Sequence, residues 1–335
     1  MVSSVSVSGP NDRPLLARAY RLVNVGGGEY AFTDLRETSL GGVQTRQFRF
    51  FTPVKRERMR LPTSLPEFAE LRHVANLSDS PVTVAAAIGG HWTEHNLAAI
   101  THVAACNFRC SYCYVDYRHL AGRDSFVAAA DAVVDDFVAL RGMALETGRK
   151  LSLLRVSGGE PLLAPSLVIE IYRVLVERGL LPSVVLKVES NLSALPYAWG
   201  QGSVRLAAPE RDWLRRIKLH TTLHHPPGSG NWPAIRDGIA FALELGFDVF
   251  PAVGATDWTP LQLETLFDEL TRISTGLPRR LAVRPFHLDY PALADRRRLP
   301  RPAESEAPSA VWEKILRRRL GVDYLERPRH LIPLT

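Results

Sequence analysis

All three cysteines of the chain lie within eight residues, Cys106-Asn107-Phe108-Arg109-Cys110-Ser111-Tyr112-Cys113. The spacing is C-x3-C-x2-C. Thiolates ligate zinc and iron–sulfur clusters. Three of them on one loop can hold three corners of a [4Fe–4S] cubane, leaving the fourth iron open to a small molecule. Zinc is the alternative; it wants four ligands, and His102 or His119 can supply the fourth. An odd, small number of cysteines argues against a secreted disulfide framework. A chain of 335 residues needs no such staples to bury a core.

A second candidate follows about 45 residues later, Val156-Ser157-Gly158-Gly159-Glu160-Pro161. Paired glycines let a ligand approach the backbone closely, and Glu160 sets a carboxylate beside them. Further polar residues cluster downstream: His220, His224 and His225, then Asp257, then Arg284, His287 and Asp289. A histidine can move a proton near neutral pH, and an arginine can clamp an anionic group. His224, His287 and Arg284 are the candidate catalytic residues at the substrate.

These residues must be positioned by the elements between them. From about residue 97, short apolar runs alternate with amphipathic stretches. Strands are expected at Ala98–Val103, Leu151–Val156, Val184–Val188, Ile217–Leu223, Asp248–Val253 and Leu281–Pro285. Helices are expected at about 125–147, 165–179, 208–216, 232–246 and 260–274. A βαβα rhythm implies a parallel sheet with right-handed crossovers. Six units fit a partial barrel better than a closed eight-stranded one. Chemistry in such sheets sits at the C-terminal strand ends, where the cysteines and the glycine pair fall.

Residues 1–95 form an N-terminal extension. Its first 14 residues are rich in Ser and are expected to be mobile. Residues 18–60 read as β-rich: Tyr20–Val25, a turn at Gly26-Gly27-Gly28, Tyr30–Phe32, and Val43–Val54. Ser64-Leu65-Pro66-Glu67 has the form of a capping box, predicting a helix to about Val74. Val82–Ile88 reads as a strand.

The C-x3-C-x2-C loop after the first strand and the Ser-Gly-Gly-Glu-Pro turn after the second resemble the radical S-adenosylmethionine (radical SAM) superfamily, over roughly residues 97–290. The resemblance implies a partial (β/α)6, TIM-like barrel over 96–290 and a [4Fe–4S] cluster on Cys106, Cys110 and Cys113. It implies SAM chelating the open iron, reductive cleavage to a 5′-deoxyadenosyl radical, and hydrogen abstraction from a substrate. It places Tyr112 near the SAM adenine and Gly158, Gly159 and Glu160 at the SAM amino group. Glu189 and Asn191 fall in a T-N-G-like turn in which Leu192 replaces the glycine. Thr222 matches a contact to the ribose or the methionine carboxylate.

Composition bounds the rest. With 46% hydrophobic and 23% charged residues, the chain is neither disordered nor collagen-like. No apolar run of about 18 residues predicts a membrane span, and Met1–Ser6 lacks the charge pattern of a secretory leader. A cytoplasmic, oxygen-sensitive enzyme is expected. From Arg279 onward there are 13 Lys+Arg against 7 Asp+Glu, so the whole +6 charge resides there. A basic helical tail is expected over 291–335, open to an anionic partner or nucleic acid. Three cysteines leave none for a second cluster. The leading expectation is a single-cluster radical SAM enzyme acting on a sugar, nucleoside or other metabolite, reduced by a flavodoxin or ferredoxin. The alternatives are a glycyl-radical activating enzyme, an RNA-modifying enzyme, and a non-catalytic zinc or iron–sulfur module.

Overall fold

A computed structural model describes residues 13–37, 49–53, 81–95, 97–146, 148–202, 204–254, 258–284, 293, 307–324 and 329–334. Its strands are β1 (Asn24–Gly26), β2 (Glu29–Thr33), β3 (Phe51–Pro53), β4 (Leu97–Val103), β5 (Ser125–Ala129), β6 (Leu151–Gly158), β7 (Val185–Ser190), β8 (Lys218–Thr222), β9 (Asp248–Gly254) and β10 (Ala282–Arg284). The longer helices are α1 (Arg13–Val23), α2 (Pro81–Ile88), α3 (Ala130–Glu146), α4 (Pro165–Glu177), α5 (Trp232–Leu245), α6 (Pro260–Ile273) and α7 (Ala307–Leu320).

The fold is mixed α/β with one parallel-dominated sheet, ordered β1-β2-β4-β6-β7-β8-β9-β10. The six strands from β4 to β10 along this order are parallel. They match the six expected strands to within two residues, because each is a short apolar run bounded by helix and turn signals. β1, β2, β3 and β5 extend the same sheet in antiparallel fashion, β2 and β3 on β4, and β1 and β5 on β2.

The two faces of the parallel strands differ in chemistry, as the two-residue period of a strand allows. One face carries Leu154, Val156, Leu186, Val188, Leu219 and Val249, in a single core with helix residues such as Phe137, Leu167, Ile171, Ile239 and Leu266. The other is layered. At its start, Ala98, Leu153 and Val185 form a small apolar cluster with Val84 of α2. One step along, Arg155, Lys187, Lys218 and Asp248 sit in register across four strands. The next row on that face is Ser157, Glu189, His220 and Phe250. Within this row Lys218 Nζ lies 2.5 Å from Asp248, which also meets Arg280 at 2.5 Å, while Arg155 and Lys187 pair with Glu189 of the next row.

Four local expectations change. Tyr20–Val23 is helical, because Leu16, Ala19 and Val23 recur at helix spacing and are buried. Val82–Ile88 is a helix, consistent with Pro81 at its start and the Ala85–Ala87 run. The expected 125–147 helix begins at Ala130; Ser125–Ala129 pairs with β2 instead, entered through the left-handed Gly122 and Asp124. The 208–216 helix reduces to a 3-10 turn and Arg211–Leu214. The Ser64 capping box and most of Val43–Val54 lie outside the described residues.

The described part of the basic C-terminal segment, 307–324 and 329–334, packs against the sheet and α6. Trp312 of α7 is fully buried beside Phe267, and Tyr324 Oη accepts from Val283 N and donates to Leu281 O. Arg318 and Arg319 pair with Glu264 and Asp268 of α6, and Arg317 pairs with Asp323 and Glu313. Among the described residues no helix is long and apolar enough to cross a membrane.

Gly238 lets α5 sit against the turn after β7: an added Cβ would lie 2.2 Å from the Leu192 carbonyl oxygen. Gly238→Ala gains about 1 kcal/mol of helix propensity but overpacks a backbone contact. A net loss of about 2 kcal/mol is expected, read as a lowered urea midpoint; a raised midpoint contradicts this packing.

Candidate functional site

The cysteine loop leaves β4 through Ala105, a non-glycine residue in the left-handed region at φ 61°. Its root is tied down by Ala105 N to His119 O (3.1 Å) and Cys106 N to Leu120 O (3.1 Å). The end of β6 closes on it from the other side. Gly159 N donates to Val103 O (3.0 Å) and Glu160 N to Ala105 O (2.9 Å). A Cβ on Gly159 would fall 1.7 Å from the Ala105 carbonyl oxygen, and one on Gly158 2.4 Å from His102 Cβ. The space that each missing side chain would fill is therefore taken by the end of β4.

Glu160 is buried and its carboxylate bridges strand ends. It accepts from Leu162 N (2.9 Å), Ser190 Oγ (2.5 Å) and Asn191 N (2.7 Å). Burial raises its pKa to about 7 against the pull of those three donors. Beyond it, Asn191 reaches the cysteine loop: its Nδ2 lies 3.1 Å from Asn107 Oδ1 and 3.9 Å from Cys106 Sγ. Leu192 holds the left-handed conformation, φ 61°, that the glycine of the expected turn would take.

A second set of contacts covers the loop from β8. Tyr112 Oη lies 2.9 Å from His224 Nδ1 and 3.1 Å from the His224 carbonyl, with ring centroids 5.6 Å apart. Phe108 meets His225 edge-on at 5.2 Å. Burial lowers the His224 pKa to about 4, so its imidazole is neutral near pH 7. The structure thus brings Tyr112 and His224, read from distant parts of the sequence, into direct contact. Thr222 ends β8 on the polar face, partly exposed. Arg284 ends β10 opposite Gly254; its side chain, and all of Asp257, His287 and Asp289, lie outside the described residues.

Glu189 is engaged on the polar face of the sheet. It pairs with Arg155 and with Lys187 Nζ (2.9 Å), and accepts from Ser157 Oγ (2.6 Å). Ser157 Oγ is also 3.0 Å from Tyr114 Oη, and Tyr114 packs against His102. Sequence reasoning missed Arg155, Lys187 and Tyr114, and quoted Ser157 only as part of the glycine motif. The available signal was a charged residue inside an otherwise apolar parallel strand, as in Leu153-Leu154-Arg155-Val156 and Val185-Leu186-Lys187-Val188, where parallel strands read as near-continuous apolar runs.

The loop chemistry fits thiolate ligation. Burial pushes the Cys106 thiol well above its usual range and Cys110 up to about 12, so negative charge there needs cations or donors. Cys106 Sγ has donors in Phe108 N (3.3 Å) and Asn191 Nδ2. Of the two histidines considered for a zinc site, His119 has Nδ1 3.3 Å from Arg123 O and Nε2 3.8 Å from Asp116, and His102 packs its ring against Tyr114. Among the described residues no three His, Cys, Asp or Glu side chains are grouped to hold one metal ion. A cubane instead presents a separate iron to each thiolate, which suits ligands spread along a loop.

No protein-family model matches the chain. It is similar to a GTP 3′,8-cyclase of Stenotrophomonas maltophilia strain R551-3, 30% identical over 145 residues, and to that of strain K279a, 30% identical over 146 residues. Each match covers 42% of this chain and 40% of the relative. The chain therefore spans about two-fifths of the length of the curated relatives it matches.

His102 is 3% exposed, and burial lowers its pKa to about 4. The unfolded chain takes up that proton near pH 6.5, the folded chain only near pH 4. Its contribution is complete above pH 6.5 and is lost as the pH falls toward 4. Folding stability is expected to drop by up to ~3 kcal/mol from this residue across that window. Denaturant midpoints measured from pH 7 to 4 should slope less steeply in His102→Gln; an unchanged slope refutes the assignment.

Proposed function

We propose that the chain is a radical SAM enzyme acting on a small polar molecule, such as a sugar, a nucleoside or another metabolite. One observation carries the reading. The C-x3-C-x2-C loop leaves the C-terminal end of β4, and the Gly158-Gly159-Glu160 turn at the end of the neighbouring β6 is locked directly onto its root. The similarity to GTP 3′,8-cyclases, an activity of the radical SAM superfamily, supports the same chemistry. The six parallel strands are read as the partial (β/α)6 barrel of such enzymes, with the polar face lining its interior.

In this reading Cys106, Cys110 and Cys113 hold a [4Fe–4S] cluster, and SAM completes the coordination of the open iron. Bound together, cluster and SAM supply a 5′-deoxyadenosyl radical for hydrogen abstraction. The chain's own residues bind and orient. Tyr112, fixed against His224, forms a wall for the SAM adenine, and the Gly158-Gly159 backbone and Thr222 line the strand ends around SAM. Glu189, committed to Arg155 and Lys187, shapes the floor rather than reaching the cofactor. His224, neutral and partly buried, Arg284 at the end of β10, and His287, three residues further along the sequence, are the residues at the substrate. A floor of Arg155, Lys187, Glu189 and Ser157 suits a polar substrate better than an apolar one. A flavodoxin or ferredoxin is the proposed reductant. Arg317, Arg318 and Arg319 are engaged by carboxylates of this chain, which favours a small molecule over RNA.

Anaerobic reconstitution should give about four irons and four sulfides per chain. With SAM and dithionite, 5′-deoxyadenosine should form, seen by chromatography. Cys106→Ala, Cys110→Ala and Cys113→Ala should each abolish it. Wild type that takes up only zinc and makes no 5′-deoxyadenosine refutes the proposal.

A further inference from the structure

The motif reading assigns Asn191 to SAM, but its side chain is already saturated. A primary amide offers two N–H groups and two acceptor lone pairs. Ser193 N can only donate, so the atom 3.0 Å from it is Oδ1, which also accepts from Ser193 Oγ at 2.6 Å. This fixes the orientation of the amide by chemistry. Nδ2 must then point the other way, toward Asn107 Oδ1 (3.1 Å) and Cys106 Sγ (3.9 Å). All four positions are filled, one of them by a cysteine sulfur.

The surroundings leave little freedom to this arrangement. Asn107 Nδ2 donates to Ser193 Oγ (2.8 Å), so its own oxygen faces Asn191 and the three side chains close a ring. Asn191 N is held by Glu160 at 2.7 Å, and the residue is 4% exposed. The next residue, Leu192, is locked in the left-handed conformation and fully buried.

Resting on the radical SAM reading, we propose that Asn191 is a positioning residue of the cluster, a side-chain N–H donor to the Cys106 thiolate that raises the cluster's reduction potential, and makes no contact with SAM. A hydrogen bond to sulfur withdraws negative charge and favours the reduced, more negative cluster, one of the factors that set such potentials. Cys106 receives this donor in addition to Phe108 N (3.3 Å).

The test is an electron paramagnetic resonance redox titration of the reconstituted full-length protein without SAM. Two variants are compared with wild type, alongside iron and sulfide content. Asn191→Ala removes the donor. Asn191→Asp keeps an acceptor for Ser193 but replaces the N–H with an oxygen. Both should shift the oxidised–reduced equilibrium about tenfold toward the oxidised form, ~59 mV lower for one electron, with Asp the larger shift. Loaded variants with the wild-type potential overturn the proposal. If the variants do not load, wild type grown with nitrogen-15 asparagine decides it. Electron spin-echo modulation of the reduced cluster should show coupling to the labelled amide, and absence of that coupling overturns the proposal. Wild type that assembles no cluster at all overturns the radical SAM reading itself, a separate result.

Discussion

The Gly159 backbone lies flat against the carbonyl of Ala105, with no room for a Cβ between them. Much of the C-terminal edge of the sheet depends on this contact. It locks the end of β6 onto the root of the cysteine loop and sets the direction of Glu160. Glu160 then fixes Ser190 and Asn191 at the end of β7, and Asn191 returns to Cys106. Two non-glycine residues in this circuit, Ala105 and Leu192, hold left-handed backbone, which costs roughly 1–2 kcal/mol each. Such conformations persist where the surroundings over-determine them. Here Ala105 is trapped between His119 and Glu160, and Leu192 between Ser190 and the close approach of Gly238.

The same sheet solves a second problem on its polar face. Lys187 is fully buried, and an uncompensated charge there would be strongly destabilising. Glu189, two residues along the same strand, meets its ammonium at 2.9 Å and pairs with Arg155 from the neighbouring strand. Ser157 completes the carboxylate, and Tyr114, the residue after Cys113, links the group to the cysteine loop. Replacing such a network with apolar side chains often leaves stability unchanged or improved, so stability alone gives no reason for it. Its link through Tyr114 gives one: it ties the cysteine loop to the polar face of the sheet.

What could be read from sequence divides along physical lines. The six parallel strands were legible because burial on both sides of most of their length makes them apolar runs. The cysteine loop and the glycine pair were legible because ligation and close backbone contact restrict residue type at fixed spacing. The contacts between Tyr112 and His224, and between Asn191 and Cys106, were not, since both depend on loops meeting from strands far apart in the chain. In the N-terminal stretch, Tyr20–Val25 and Val82–Ile88 were short apolar segments that fit either period. Only packing decided them: α1 buries Leu16, Ala19 and Val23, and α2 seals the start of the polar face. Leu192 shows a further limit. A turn that calls for glycine can be built with leucine when a buried pocket holds the side chain.

The basic C-terminal segment marks the difference between net charge and charge in place. Thirteen basic residues against seven acidic ones invite an external anion. Yet Arg318 and Arg319 face Glu264 and Asp268, and Arg319 also covers the Phe267 ring at 4.7 Å. Each such pair at the surface contributes little, typically below about 1 kcal/mol, and the buried Trp312 supplies the larger apolar anchor. The arginines thus orient α7 on α6 while the tryptophan holds it there. Once α7 is docked, its neighbour Tyr324 can reach the backbone on either side of Ala282, at Leu281 O and Val283 N. Arg317, Arg318 and Arg319, read as part of a basic tail, thus belong to the device that holds β10 at the edge of the sheet.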